Sequence, residues 1–333
     1  MKQRIYLLYF VFSIFFFSFS FKSMAQLENT RLIITDGLYN EVLKQKIEEN
    51  VSNVLLALNE AVIKGKNPSL NKYGVTSDGQ KVIASLWKTS AMSCPVSKLE
   101  RSCITRPNNS GYQIRNIPIN MHDAPDDQQE QEIVINVGND GRVDDIFLPI
   151  HRYDDILVKN EKVEDFSRRQ MVIDFVENFK TSYNRRDIQF LENIFSDNAL
   201  IITGKVVKQK PKSDQALQSL SYEKIVYQTK SKQEYLKGLK SIFKNQKYLN
   251  IEFEKIEVLQ HEVHEEVYGV TLKQKWNSST YNDVGYIFLM IDFKNESQPE
   301  IHVRTWQPEK YNGKVLDRDE IFSIGDFPIN RPN

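Results

Sequence analysis

The chain has 333 residues, with 44 basic and 44 acidic side chains and therefore a formal charge of zero. A balance of this kind excludes a general affinity for polyanions such as nucleic acid. The length is sufficient for two domains of ordinary size, each with its own core.

The first 25 residues have the pattern of an export signal. Lys2 and Arg4 precede a 17-residue apolar run, and Ser23-Met24-Ala25 supplies the small residues that a signal peptidase recognises. The sequence therefore predicts cleavage after Ala25 and a mature protein in the periplasm, at the cell surface or outside the cell. An uncleaved anchor is the alternative, but the apolar run is short for a membrane span, and no later stretch approaches that length.

Residues 26–152 are predicted to form an α+β domain. Apolar residues at three- and four-residue steps predict a helix over residues 38–64, which Gly65 ends. Thr76 or Ser77 begins a second, shorter helix. Strands are predicted over 112–121, 132–137 and 143–150, the last two joined by an Asn-Asp-Gly turn, so the domain is two helices and a small antiparallel sheet.

Eight residues separate the two cysteines in the intervening segment. In an oxidising compartment, a lone pair such as Cys94 and Cys103 predicts a disulfide that closes a local loop. Two free thiols or a redox pair are the alternatives, although the spacing differs from Cys-x-x-Cys.

Charge is distributed unevenly along the chain. Residues 205–247 contain eleven lysines against three acidic residues, and residues 123–165 contain thirteen acidic residues against four basic ones. The pattern is typical of solvated faces. It also allows contact between the two halves, or binding of the basic segment to an anionic surface.

Residues 153–165 are predicted to connect the first domain to a second one over 166–310, with a C-terminal extension over 311–333. An apolar stripe predicts a helix over 169–184, and Asp187 begins a short second helix. A strand over 199–203, a partly ordered insertion over 208–221 and a strand over 222–229 follow. Ser231 then begins a helix, and four long alternating strands complete the domain over 250–259, 267–276, 284–293 and 299–306.

This second half resembles the nuclear transport factor 2-like superfamily. The resemblance rests on the helix over 169–184, on the segment from Asp187 to Ala199 and on the helix and strands that follow. It implies a cone of curved antiparallel sheet around helices, a fold that usually encloses a pocket and has many activities. The strands that contain Tyr268, Gly285 and Trp306 are also similar to those of exported Bacteroidetes proteins of uncharacterised function.

The enzymes of that superfamily place an acid or a histidine inside the cone, assisted by a tyrosine. The resemblance therefore makes Asp197 the first catalytic candidate, and a turn or cap aspartate is the alternative. Tyr183 is the second candidate, although it continues the apolar stripe of its helix and is equally interpreted as a core residue.

Alternation on the last strand predicts a cationic, aromatic face. His302 and Arg304 share one side of the strand, and with Trp306 and Trp276 they are candidates for binding an anionic or ring-shaped ligand. His302 is also a candidate base if this face is concave. Periodicity leaves open whether the face lines a pocket or lies on the surface.

The remaining signals predict no metal site and no cofactor. The cluster of His261 and His264 lacks the spacing of a zinc protease and is interpreted as a solvated turn. No phosphate-binding glycine loop and no nucleophile elbow are present in the sequence.

The leading hypothesis is therefore an exported envelope protein whose cone binds a small molecule or an envelope protein. Non-catalytic binding is preferred to an enzymatic role. The alternatives are an isomerase, dehydratase or cyclase that uses Asp197 or His302, and an interaction module for anionic envelope polymer. A homodimer through the open sheet face is expected, and no nucleic acid is expected as a partner.

Overall fold

The protein is described from a computed structural model covering residues 30–70, 74–150, 165–209 and 222–329. The contacts divide the chain into two compact units, and the boundary along the chain lies between Pro149 and Ile150. The predicted signal peptide, residues 153–164 of the predicted connection and residues 210–221 of the predicted insertion lie outside the described residues. Within the described part of the chain, no helix combines the length and the apolar character needed to cross a membrane.

The two predicted helices of the N-terminal unit are present. Helix α1, Glu41–Lys64, begins where the Asn40 side chain accepts a hydrogen bond from the Leu43 amide, and it ends at Gly65, which is left-handed at φ 58°. Helix α2, Ser77–Thr89, begins with Thr76 as its cap. Local capping chemistry therefore sets these boundaries.

The N-terminal sheet is larger than the sequence predicts. Its six strands are β1 Arg31–Asp36, β2 Met92–Ser93, β3 Lys98–Thr105, β4 Tyr112–Met121, β5 Glu130–Val137 and β6 Val143–Phe147. The order is β1-β3-β4-β5-β6, with β2 also paired to β4. The first strand runs parallel to β3 and the other pairs are antiparallel, so the α+β class is confirmed with one parallel pair added.

The predicted disulfide is not formed, because both cysteines are free thiols in the structure. Cys103 lies in β3 and pairs with Ile114 of β4, whereas Ser93, next to Cys94, pairs with Asn120 at the other end of β4. Ile114 and Asn120 are six residues apart along β4, roughly 20 Å by strand rise. A disulfide requires Cα atoms within about 7 Å, so the two cysteines are too far apart to form one. The segment that contains Cys103 instead forms strand β3, which pairs with β1 and β4.

The C-terminal unit contains the predicted helices and strands in the predicted order. Its helices are α3 Phe166–Asn184, α4 Ile188–Ile194 and α5 Lys232–Asn245. Its main strands are β7 Phe195–Gln209, β8 Tyr222–Lys230, β9 Leu249–Gln260, β10 Val267–Ser278, β11 Asn282–Asp292 and β12 Glu300–Pro308. The sheet order is β8-β7-β12-β11-β10-β9, antiparallel except between β7 and β12.

The strands of this sheet send alternate side chains to two apolar layers. Ile287, Leu289 and Ile291 of β11 join the main core with the helices, which gives the cone of curved sheet around helices. Phe288 and Met290, which point to the opposite side, join a second apolar cluster. The sheet is therefore buried on both faces along β11.

The second cluster lies on the sheet face through which a homodimer is predicted, and that homodimer stays a prediction. The side chains of the C-terminal segment 321–329 pack on this face, among them Phe322, Ile324 and Phe327. The ring of Phe327 stacks on Phe288 with centroids 5.3 Å apart and an interplanar angle of 9°. The chain itself thus covers the apolar part of this face around Phe288 and Met290.

Candidate functional site

A cavity of about 380 Å³ lies in the C-terminal unit between α5 and the helix-facing side of the sheet. Helix α5 is fixed there by a capping box, in which Ser231 and Glu234 bond to each other's backbone amides, and by its buried face. The apolar and aromatic lining residues are Tyr235, Leu239, Ile242, Trp276, Tyr281 and Trp306, and the polar ones are Thr203, Lys230, Gln246, Gln274, Asp283 and Arg304.

Three of the four residues predicted to bind a ligand line this cavity, namely Trp276, Arg304 and Trp306. Arg304 is only 5% exposed. Its guanidinium carbon lies 5.0 Å from the centre of the Tyr235 ring, and its Nε has no hydrogen-bond partner among the described residues. No carboxylate of the described chain forms an ion pair with it. A buried guanidinium therefore faces the cavity with donor capacity to spare.

Tyr183 supports the floor of the cavity from behind. Its hydroxyl lies 2.5 Å from that of Tyr235, and its ring contacts Trp276 edge-on at 6.3 Å. Burial raises the pKa of the Tyr183 hydroxyl well above its usual value, with the neighbouring Tyr235 adding to the effect and Arg304 opposing it. Tyr183 thus stays neutral near pH 7 and positions Tyr235 beneath Arg304.

The carboxylate among the lining residues lies at the exposed end. Tyr281 donates a hydrogen bond to Asp283, and burial raises the pKa of the Asp283 carboxyl. Asp283 lies six residues along β11 from Leu289, the residue that pairs with Arg304, a separation of roughly 20 Å by strand rise. The positive and negative lining groups are therefore at different ends of the cavity.

His302 lies outside the cavity, which corrects the prediction that it shares a face with Arg304. On β12, Ile301 pairs with Ile291 and Val303 pairs with Met290, so one extra residue, His302, is inserted as a β-bulge. The bulge directs both Ile301 and Arg304 toward the helices. The His302 side chain is 43% exposed, and its Nε2 lies 3.6 Å from the Asp292 carboxylate.

Asp197 also lies outside the cavity. Its side chain is 94% exposed, and its Oδ1 accepts a hydrogen bond of 2.9 Å from Lys232. That hydrogen bond lowers the pKa of the carboxyl. The two residues predicted as acid–base candidates, Asp197 and His302, are therefore not brought together around an enclosed space.

The basic segment of α5 does not form a uniformly cationic surface. Lys232, Lys237 and Lys240 line a groove of about 730 Å³ next to α4. Glu192 and Asp197 line the same groove. Its charges are mixed, so an anionic polymer would meet carboxylates as well as lysines.

The histidine cluster forms a turn between β9 and β10. The Nδ1 atom of His261 accepts hydrogen bonds from the amides of Val263 and His264, at 3.1 and 3.2 Å. No group of three metal-ligating side chains occurs within the described ranges. The cluster is thus used to close the turn.

Comparison with known proteins gives only weak structural likenesses. No family model and no curated protein matches the chain. Bd1075 of Bdellovibrio bacteriovorus is 14% identical over 44% of this chain and 43% of its own, with a TM-score of 0.32. A candidate dehydratase of the nuclear transport factor 2-like family from Streptomyces avermitilis is 12% identical over 39% and 87%, at 0.26. A protein of that type and of unknown function from Shewanella oneidensis is 10% identical over 41% and 95%, at 0.28.

Several lining residues were not singled out from the sequence. Tyr235 was assigned to the apolar side of its helix, and Lys230 only to the basic segment. The signal for Tyr235 is its hydroxyl, which a buried tyrosine must pair. Lys230, Gln274 and Thr203 carry no such signal, because they reach the cavity only through the pairing of distant strands.

Proposed function

We propose that the C-terminal unit binds a small organic molecule in the cavity between α5 and the sheet, without transforming it. The observation that carries this proposal is an aromatic-lined cavity with the buried, incompletely bonded guanidinium of Arg304 in its wall. Apolar walls with a few convergent polar groups are the general pattern of ligand pockets.

Binding is favoured over catalysis by the placement of the titratable groups. Asp197 and His302 point away from the cavity, and Tyr183 is held neutral by burial. A proton-transfer enzyme requires a base within hydrogen-bond reach of its substrate. Asp283, the carboxyl of the lining, is engaged by Tyr281 at the cavity's other end.

We further propose that the protein acts in the cell envelope after export. The support is the sequence pattern of residues 1–25, with its basic start, apolar run and small residues before position 26. The intact mass of protein purified from its native host is expected to match a chain that begins at Gln26. A protein that retains Met1 would contradict export with cleavage.

Tryptophan fluorescence provides a direct test of ligand binding. The chain has three tryptophans, of which Trp276 and Trp306 line the cavity and Trp87 belongs to the N-terminal unit. In a Trp87→Phe variant, emission therefore reports on the cavity. A screen of small aromatic and aliphatic compounds is expected to give saturable changes in emission together with a higher melting temperature.

Blocking variants make the test specific. Ile242→Tyr enlarges a 40% exposed side chain of the lining and is expected to abolish the response. Val315→Tyr enlarges a similarly exposed side chain, 47% exposed, that is not among the lining residues, and is expected to leave the response intact. Responses that persist in Ile242→Tyr, or a screen in which no compound alters emission, would contradict the proposal.

A further inference from the structure

We infer that the ligand of this cavity is an organic anion with a flat apolar body, whose carboxylate or sulfonate group binds Arg304. The inference rests on the proposed function and specifies the class of ligand. Its basis is the charge left uncompensated at one end of the cavity.

The first step is the state of Arg304. A guanidinium that is 5% exposed loses most of its hydration, and burial of a charge is unfavourable unless it is paired and hydrogen-bonded. Among the described residues no carboxylate pairs with Arg304, and its Nε is without a partner. Its fork of N–H donors fits an oxyanion in a bidentate manner.

The second step is that the immediate neighbours of Arg304 orient it without neutralising it. The Tyr235 ring lies under the guanidinium, and the hydroxyls of Tyr235 and Tyr183 bond to each other. The electrostatic attraction of an aromatic face is weaker than that of an anion. Since burial keeps Tyr183 protonated, neither tyrosine supplies the missing negative charge.

The third step is a second cation on the same side. Arg304 pairs with Ile201 of β7, which in turn pairs with Lys230 of β8, so the two cations lie in one row across three strands with their Cα atoms roughly 10 Å apart. Both line the cavity, whereas Asp283 lies toward the other end. This end of the cavity therefore favours a negative group.

The fourth step concerns the body of the ligand. Trp306, two residues along β12 from Arg304, provides a flat, partly buried wall next to this charged end, and Trp276, which pairs with Asp283, provides a second wall toward the other end. Gln274, which is 4% exposed, adds one amide to the same lining. A planar apolar ring system with one anionic group satisfies both parts of the cavity.

A matched pair of fluorescent probes tests the inference. The probe 8-anilino-1-naphthalenesulfonate carries an anionic group, and N-phenyl-1-naphthylamine has the same aromatic skeleton without it. Binding is measured in the Trp87→Phe background by energy transfer from the cavity tryptophans. Arg304→Met is expected to weaken the sulfonate by about tenfold or more and to leave the amine within about twofold.

Lys237→Met removes an exposed cation outside the cavity and is expected to change the affinity for neither probe. The inference is overturned if Arg304→Met weakens both probes equally, or neither. If neither probe binds the unsubstituted cavity, the proposed function itself fails, which is a different result.

Thermal melts and circular dichroism establish whether Arg304→Met is folded. If it is not, Lys230→Met, a change at a partly exposed strand position, is measured instead. It is expected to weaken the sulfonate about threefold and to leave the amine unchanged, because it removes the second charge without opening the core. An equal effect on both probes would again overturn the inference.

Discussion

Lys180 on α3 is a cation in an unfavourable place, since it is 4% exposed. Burial lowers its pKa from 10.5 to about 8, and Glu177 and Glu252 oppose that shift. A lysine whose pKa is lower in the folded state disfavours folding below the folded pKa. The penalty disappears as the pH rises through the unfolded pKa.

The free energy of unfolding should therefore gain up to about 3 kcal/mol from Lys180 between pH 8 and pH 10.5. Lys180→Met is expected to remove this gain, which urea unfolding at several pH values measures. Lys237→Met, at an exposed position, serves as the control. If the free energy of unfolding changed with pH in the same way for Lys180→Met and for the unsubstituted protein, the pKa of Lys180 would not be lowered by folding, and the prediction would be wrong.

The outward position of His302 gives a second prediction at the residue scale. His302→Gln and Asp197→Asn are expected to leave the affinity of the cavity for the naphthalenesulfonate probe within about twofold, because both side chains lie outside it. Trp306→Ala, which removes a wall of the cavity, is expected to lower it about tenfold. Fluorescence titration of the three variants checks this prediction. A strong effect of His302→Gln on probe affinity would contradict the placement of His302 outside the cavity by the β-bulge.

At the scale of elements, capping residues and apolar stripes were sufficient to predict the helices. Gly65, Thr76, Asp187 and Ser231 each mark a predicted helix end with local chemistry, whereas the cap Asn40 was not singled out and the first helix begins at Glu41 rather than at residue 38. The strands β1 and β3 were missed, since a short apolar run before a helix and a mixed segment between cysteines have no distinctive period. Only the pairing of β1 with β3, and of β3 with β4, identifies these two segments as strands.

The C-terminal segment 321–329 stabilises the sheet face on which it packs. Phe327→Ala is expected to lower the free energy of unfolding by about 3 kcal/mol at most, because it removes a ring that is 8% exposed and stacked on Phe288. Val315→Ala, at an exposed position, is the control and should remain within about 0.5 kcal/mol. Chemical denaturation of both variants provides the comparison.

Removal of this segment should change the state of association. A protein ending at Glu320 exposes the side chains of Val267, Phe288, Met290 and Val303, which form an apolar patch on the sheet. Sedimentation velocity is expected to show more self-association than for the full-length protein. An unchanged sedimentation profile and unchanged stability would mean that the segment contributes little cover.

At the scale of the whole molecule, the two cysteines are expected to remain thiols even after secretion into an oxidising compartment. Cys94 is fully buried and Cys103 is 4% exposed, and burial raises the pKa of both thiols, that of Cys103 to about 11. The reactive thiolate is thus scarce as well as shielded.

Intact mass after alkylation tests this prediction. The native protein should take up no iodoacetamide, and the unfolded protein should take up two equivalents without a reducing agent. A secreted protein lighter by two hydrogens and unreactive when unfolded would contain the disulfide. Cys94→Ser is the matched variant, with one equivalent expected.

The sequence by itself determined the α+β class, the order of helices and strands in the C-terminal unit, and three residues of its cavity, Trp276, Arg304 and Trp306. These follow from period, capping and residue type, which act over neighbouring positions. Only the tertiary structure decided that His302 faces outward and that the cysteines stay apart. One inserted residue reverses the face of every residue beyond it, and strand partners far along the chain fix that register.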